Sequence, residues 1–561
     1  MNNKSIILFS TFIVFTACSK NTLEKKDVKV INTSSSIIAE ARHEVVFENV
    51  VAPVIVYDGV EPVPVPVPVP VAIPSPSLVV SAYPSSPLPP PPTVLMPSTE
   101  EYNSISENKF KEVSSSPLST FSTDVDTASY ANVRRFLNDR RASLPPKNAV
   151  RIEELINYFS YDYKEPQSED PFYINTRMGQ TIWNKDTKII EIALQTKKPN
   201  IAKLPATNLV FLLDVSGSMG RANKLPLLKK SLKLLVKQLR EKDKVSIVVY
   251  AGNSGLVLDK ARGDEEEKIV KALEKLNAGG STAGGAGIKL AYKVAQEAFI
   301  EGGNNRVILA TDGDFNVGQS SQEELVSLIE EKRKSGVFLT VLGFGMGNYK
   351  DGRMEQLADK GNGNYAYIDN LLEAKKVLVT QMSGTLYTVA KDVKVQVEFN
   401  PNRVHSYRLI GYENRALANK DFNDDTKDAA EVGMGHSVTA LYEVVLSSKG
   451  VKSKVDELKY QRSVEDSNEL ATVKIRYKKS DGDTSVKMSK IIGDTDADIS
   501  KKDFDFVQTV AGFGMLLRDS EYKKSLTFNQ LIELAKNSKG EDREGYRAEF
   551  IRMLEKAELL K

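Results

Sequence analysis

NLVFLLDVSGSMG, residues 208–220, decides the fold. Leu209, Val210, Phe211, Leu212 and Leu213 form an unbroken apolar run, as a strand buried on both faces requires. The run then breaks into Asp214, Ser216 and Ser218, oxygen-bearing side chains at alternate positions. A carboxylate and two hydroxyls make a poor core. They make a good cradle for a hard cation, because Mg2+ takes oxygen ligands at roughly 2.1 Å and keeps several waters. Gly217 and Gly220 let the loop turn tightly enough for these side chains to converge.

Such a site needs further oxygens, and later segments supply them. AGGSTAGGAG (278–287) is a glycine-rich loop carrying Ser281 and Thr282 just before a helical pattern. RVILA (306–310) is a second buried-type strand that runs into Thr311, Asp312 and Gly313. Loops that follow parallel strands meet at one edge of a sheet, where open α/β folds place ligands. Between 206 and 383 the strand and helix patterns alternate, which predicts a doubly wound, mostly parallel sheet with helices on both faces. Leu225, Leu228, Leu232, Leu235 and Leu239 recur at helical spacing, and 245–250 and 337–344 read as strands.

DVSGSMG, GGSTAGG and ATDGD, in that order, resemble the von Willebrand factor type A domain and its metal-ion-dependent adhesion site. The resemblance implies that Ser216, Ser218 and Thr282 offer hydroxyl oxygens, with Asp214 and Asp312 ligating directly or through water. It also implies Mg2+, or Mn2+ or Ca2+ in its place, and a protein partner that completes the coordination with a carboxylate.

At 561 residues the whole chain has material for about three to four domains. Lys and Arg total 76 against 74 Asp and Glu, a balance that argues against nucleic acid as a partner. Residues 1–17 read as an export signal: Lys4, an apolar run from Ile6 to Phe15, then Thr16 and Ala17. That run is shorter than the ~20 residues needed to span a bilayer. Cys18, the sole cysteine, follows directly and resembles a bacterial lipobox cysteine, which implies cleavage before it and acylation. The expected localisation is the cell envelope, anchored by lipid alone, at an outer membrane and facing the periplasm.

Residues 18–100 carry no packable pattern. EPVPVPVPVP (61–70) and PLPPPP (87–92) leave polyproline II as the accessible conformation, a semi-rigid stalk. Residues 101–205 form an N-terminal segment packing on the core. Residues 384–561 form a second, β-rich domain: 392–399, 406–412, 437–446 and 471–478 alternate with period two, and terminal helices follow. Both flanks (EYNSISENKF before, YRLIGYENR and GHSVTALYEV after) resemble those of a group of bacterial lipoproteins carrying the adhesion-type domain.

Catalytic motifs are weak. His43, His405 and His436 stand by no nucleophile motif, and GSMG (217–220) is one residue short of a G-x-S-x-G elbow. The glycine-rich loop lacks the G-K-[ST] ending of a phosphate loop. Asp124 and Asp126 imitate a phosphatase D-x-D-x-T signature, but Thr127 follows too soon and 119–123 is not a hydrophobic strand. These carboxylates are expected to cap a helix or pair with Arg134 and Arg135. Asp494, Asp496 and Asp498 begin like a calcium loop, with Ile499 where the turn glycine belongs. The expectation is a binding protein and not an enzyme. An envelope hydrolase with unrecognised catalytic groups is the alternative.

Overall fold

The computed structural model describes residues 100–561 apart from 140, 200–202, 253, 282–283, 314–321, 348, 383, 385–386, 428, 448–466, 481 and 483. The expected export signal, Cys18, the proline-rich stretch and Thr282 therefore lie outside the described residues.

Two short strands come first, β1 (Lys111–Glu112) and β2 (Leu118–Ser122). Helices α1 (Ala128–Asn138) and α2 (Ile152–Asn157) follow, then the antiparallel pair β3 (Phe172–Gln180) and β4 (Lys188–Thr196). Residues 119–122 lie in β2, a strand, although not the hydrophobic one that the phosphatase signature requires. LSTFS pairs antiparallel with a strand of the C-terminal region, and that pairing, not its own hydrophobicity, makes it extended.

The α/β region contributes β5 (Thr207–Asp214), β6 (Lys244–Tyr250), β7 (Ser254–Arg262), β8 (Asn304–Thr311), β9 (Val337–Phe344) and β10 (Tyr365–Ile368). They form one sheet in the order β10-β9-β8-β5-β6-β7, parallel except for the β6–β7 pair. Every residue of β5 and β8 is buried, which is why 209–213 and 307–310 are apolar without alternation. Helices α3 (Leu225–Val236), α4 (Glu266–Glu274) and α8 (Leu371–Lys375) cover one face. Helices α5 (Gly284–Glu297), α6 (Gln322–Arg333) and α7 (Asp351–Lys360) cover the other. Chain order reverses at β5, which has β6 on one side and β8 on the other, so the crevice lies at the carboxyl ends of β5 and β8.

The C-terminal region adds β11 (Thr388–Phe399), β12 (Val404–Ile410), β13 (Ala430–Gly433), β14 (Ser437–Leu446), β15 (Ala471–Lys479) and β16 (Ser485–Ile492). It ends in helices α9 (Lys501–Arg518), α10 (Phe528–Ser538) and α11 (Tyr546–Leu559). One antiparallel sheet runs β1-β12-β14-β4-β3, and the other runs β13-β11-β15-β16 with β2 also on β11. Val395, Val397, Tyr442, Ile192 and Ile475 fill the space between these two sheets. The first sheet is buried on its other side too, where Ile189, Ala193 and Leu441 meet Phe506, Phe513 and Phe550 of α9 and α11. Strands from before and after the α/β region thus share one sandwich.

Two buried arginines and a third that is largely buried tie the α/β region to its surroundings. Arg134 on α1 donates to Asp369 at 2.8 Å and lies 2.7 Å from Glu373. Arg151 pairs with Asp351 at the start of α7. Arg415, just past β12, reaches Asp124, Glu355 and Asp359 at 2.7, 2.6 and 2.9 Å. The aspartates at 124 and 126 therefore pair with Arg415, and not with Arg134 or Arg135, which are drawn to Asp369 and to Glu100. Asp126 instead accepts from the backbone N–H of Tyr365, pinning the approach to α1 onto β10. The calcium-like aspartates also turn to different partners: Asp494 to Arg403, Asp496 to Thr176, and Asp498 to Lys164 and Lys490.

Candidate metal site

Strand register brings the first elements of the site together. Leu213 pairs with Ala310 and Asp214 with Tyr250, so Asp214 ends β5 flanked by the last residues of β8 and β6. Asp312 follows β8 directly. The Tyr250 and Thr311 hydroxyls each donate to Asp214 Oδ2 at 3.3 Å, and the Ser216 N–H donates to Oδ1 at 2.9 Å. The glycine-rich loop is laced to the first loop by the backbone. Gly217 N–H donates to Gly280 at 3.1 Å, and Gly279 N–H to Val215 at 2.8 Å.

After Ser216 the chain makes a 3-10 turn, Gly217–Gly220, with Met219 driven into the core beneath α3. The turn raises Ser218 to the surface. Its hydroxyl donates to Asp312 Oδ2 at 2.6 Å and shares a 3.1 Å hydrogen bond with Ser216. The structure thus brings together Asp214, Ser216, Ser218 and Asp312. Thr282 falls outside the described residues.

Asp214 and Asp312 are fully buried. Burial above all, with the Asp312 charge adding to it, pushes the Asp214 carboxyl up to about 6 against the hydrogen bonds from Ser216. Two carboxylates and two hydroxyls are a hard oxygen set, which fits Mg2+ better than a softer metal. Among the described residues no group of three or more His, Cys, Asp or Glu side chains is arranged to hold a metal. The sequence reading missed Lys224, which precedes α3 and places its ammonium 2.7 Å from Asp312 Oδ2. No local pattern marks it among the lysines of that helix.

The chain is 45% identical over 474 residues to "Uncharacterized protein YfbK" of Escherichia coli (strain K12), covering 82% of each. It belongs to the YfbK family. Three family descriptions match in turn along this YfbK relative: von Willebrand factor at 96–191, von Willebrand factor type A domain at 208–381, and Uncharacterized protein YfbK, C-terminal, at 384–560. "Uncharacterized protein sll0103" of Synechocystis sp. is 28% identical over 185 residues, 33% of this chain and 43% of that one. Among solved structures, von Willebrand factor type A from Catenulispora acidiphila aligns at 14% identity over 69% of this chain and 90% of that one, TM-score 0.38. BatB from Bacteroides thetaiotaomicron aligns at 23% over 32% and 97%, TM-score 0.27.

Proposed function

We propose that this YfbK-family chain is an envelope-tethered binding protein. Asp214, Ser216, Ser218, Thr282 and Asp312 would hold Mg2+, and the site would recognise a carboxylate on a protein partner. The observation that carries this reading is the convergence of Asp214, Ser216, Ser218 and Asp312, from two loops, at the ends of two buried strands. Bound there, the cation supplies an open coordination position for an anionic oxygen. The chain's own groups do the rest. Tyr250 and Thr311 orient the Asp214 carboxylate, the 3-10 turn presents Ser218 to solvent, and the Gly279 and Gly217 backbone bonds hold the second loop in place.

The tether rests on the sequence alone: an apolar run, a small residue and the sole cysteine at Cys18. Acylation there would leave the folded part on the far side of a long proline-rich segment. Binding, not catalysis, is the activity in this reading.

Calorimetry of the chain with Mg2+ tests it, and Asp214→Ala is expected to abolish the heat. Identical heats in the two proteins remove the site. Capture of an envelope protein that persists in EDTA, or a hydrolytic activity that survives Asp214→Ala and Asp312→Ala, removes the proposed use of it.

A further inference from the structure

Lys224 is only 3% exposed, and its surroundings are built to admit it. The residue stands at the N-terminal boundary of α3, where its carbonyl accepts from Leu228 N–H at 2.8 Å. Its methylene stem crosses Gly345, in the loop that follows β9. A Cβ at Gly345 would lie 2.3 Å from Lys224 Cε and 2.7 Å from Cγ, and Gly345 has φ +81°. Glycine is therefore demanded twice over at that position, once by the backbone and once by the lysine. The ammonium then meets Asp312 Oδ2 at 2.7 Å, the oxygen to which Ser218 also donates.

A buried lysine–aspartate pair is a poor source of stability, because desolvating both charges offsets most of their attraction. Its effect on the charge of the site is larger. Among the described residues, Asp214 and Asp312 bring two negative charges to the site, and Lys224 returns one. With a divalent cation added, these groups and the ion are net positive together. Without Lys224 the two carboxylates and the ion would be neutral.

We infer that Lys224 is the specificity-determining residue of this site: its ammonium neutralises Asp312, so the charge of a bound dication is left in excess and an anionic ligand is selected. The inference rests on the metal-site reading above and deepens it. Lys224 opposes the cation when it arrives alone and favours the cation together with a carboxylate. Cation and carboxylate then bind cooperatively, and by linkage each strengthens the other equally.

The test is calorimetric titration of the full chain with Mg2+, in the absence and in the presence of saturating acetate as the carboxylate probe. Wild type is expected to bind Mg2+ more tightly when acetate is present. Lys224→Met is expected to bind Mg2+ alone about tenfold more tightly, with the acetate enhancement reduced to less than about twofold, while Lys224→Arg retains it. Thermal melts establish that each variant is folded, and Lys224→Gln replaces Lys224→Met should the latter not melt cooperatively. If the charge-removing variant binds Mg2+ like wild type with an unchanged acetate response, while Asp214→Ala abolishes the heat, the role of Lys224 is overturned and the metal site stands. If Asp214→Ala leaves the heat intact, the metal site falls and the inference with it.

Discussion

Arg415 Nη2 lies 2.6 Å from Glu355 Oε1, joining the end of β12 to the middle of α7. Four carboxylates, Asp124, Asp126, Glu355 and Asp359, crowd round this guanidinium. Burial holds Asp124, Asp126 and Asp359 above the usual carboxylate range even with the arginine present. Arg415→Ala would leave those charges facing one another. Loss of one partner from a buried ion pair costs about 3–5 kcal/mol, and chemical denaturation at neutral pH should show a loss of that order. The deficit should shrink in acid, where the carboxyls are protonated.

Mg2+ should raise the melting temperature of the wild-type chain and leave Asp214→Ala unmoved. At a concentration of 100 times Kd, mass action predicts about 2.7 kcal/mol of added stability. Ser218→Ala should show a weakened response, because one candidate hydroxyl ligand is lost while Lys224 still pairs with Asp312. A melting curve equally sensitive to Mg2+ in all three proteins would place the cation elsewhere.

Glu191 sits in β4 between β3 and β14 with no access to solvent. Tyr163 donates to its Oε1 at 2.8 Å, and among the described residues Oε2 has no hydrogen-bond partner. Burial raises this carboxyl from 4.5 to about 8. The folded state therefore binds a proton that the unfolded chain releases near 4.5. The stability this contributes is complete below 4.5 and is lost as pH rises through about 8. Glu191→Gln, which mimics the protonated form, should gain melting temperature relative to wild type at pH above 8 and show no gain in acid. An equal shift at both ends would contradict it.

Gly345→Ala should destabilise the chain by about 1–3 kcal/mol, from the positive φ and from the contact with the Lys224 stem. Gly287 makes a comparable close approach inside α5, where a Cβ would lie 2.9 Å from Tyr250 Cβ and 3.2 Å from Leu212 Cδ1. Gly287→Ala should therefore loosen α5 from β5 and β6, read as faster amide exchange along those strands. Unchanged exchange would mean the helix shifts without cost.

The sequence made the α/β sheet readable because its central strands are buried on both faces, so composition alone marks 209–213 and 306–310. Edge strands hid. β7 is half exposed at Leu256 and Val257 and changes register against β6, so no clean alternation survives to mark it. β16 alternates too weakly, with lysines on an outer edge. On α7, Asp351, Glu355 and Asp359 recur every fourth residue, a spacing that by itself fits a solvated face. They are drawn inward instead by Arg151 and Arg415, the first 200 positions away in the chain. The carboxylate and hydroxyl groups of the candidate site were legible because each stands at or just beyond a strand end. Lys224 was not, because its position depends on the loop after β9.

The β3–β4 hairpin has its neighbour in β14, with Ser437 opposite Gln195, and the whole α/β region lies between them in the chain. Asn157 likewise bonds Thr439 across 282 positions. On a chain delivered amino end first, every strand of the α/β sheet finds its neighbours before the hairpin can find its own. At synthesis rates of roughly 5–20 residues per second, the hairpin would wait on the order of ten to fifty seconds with an open, aggregation-prone flank. An inserted region that folds first would carry the later strands back to the earlier ones, and Arg134, Arg151 and Arg415, which flank it in the chain, would clamp them to it.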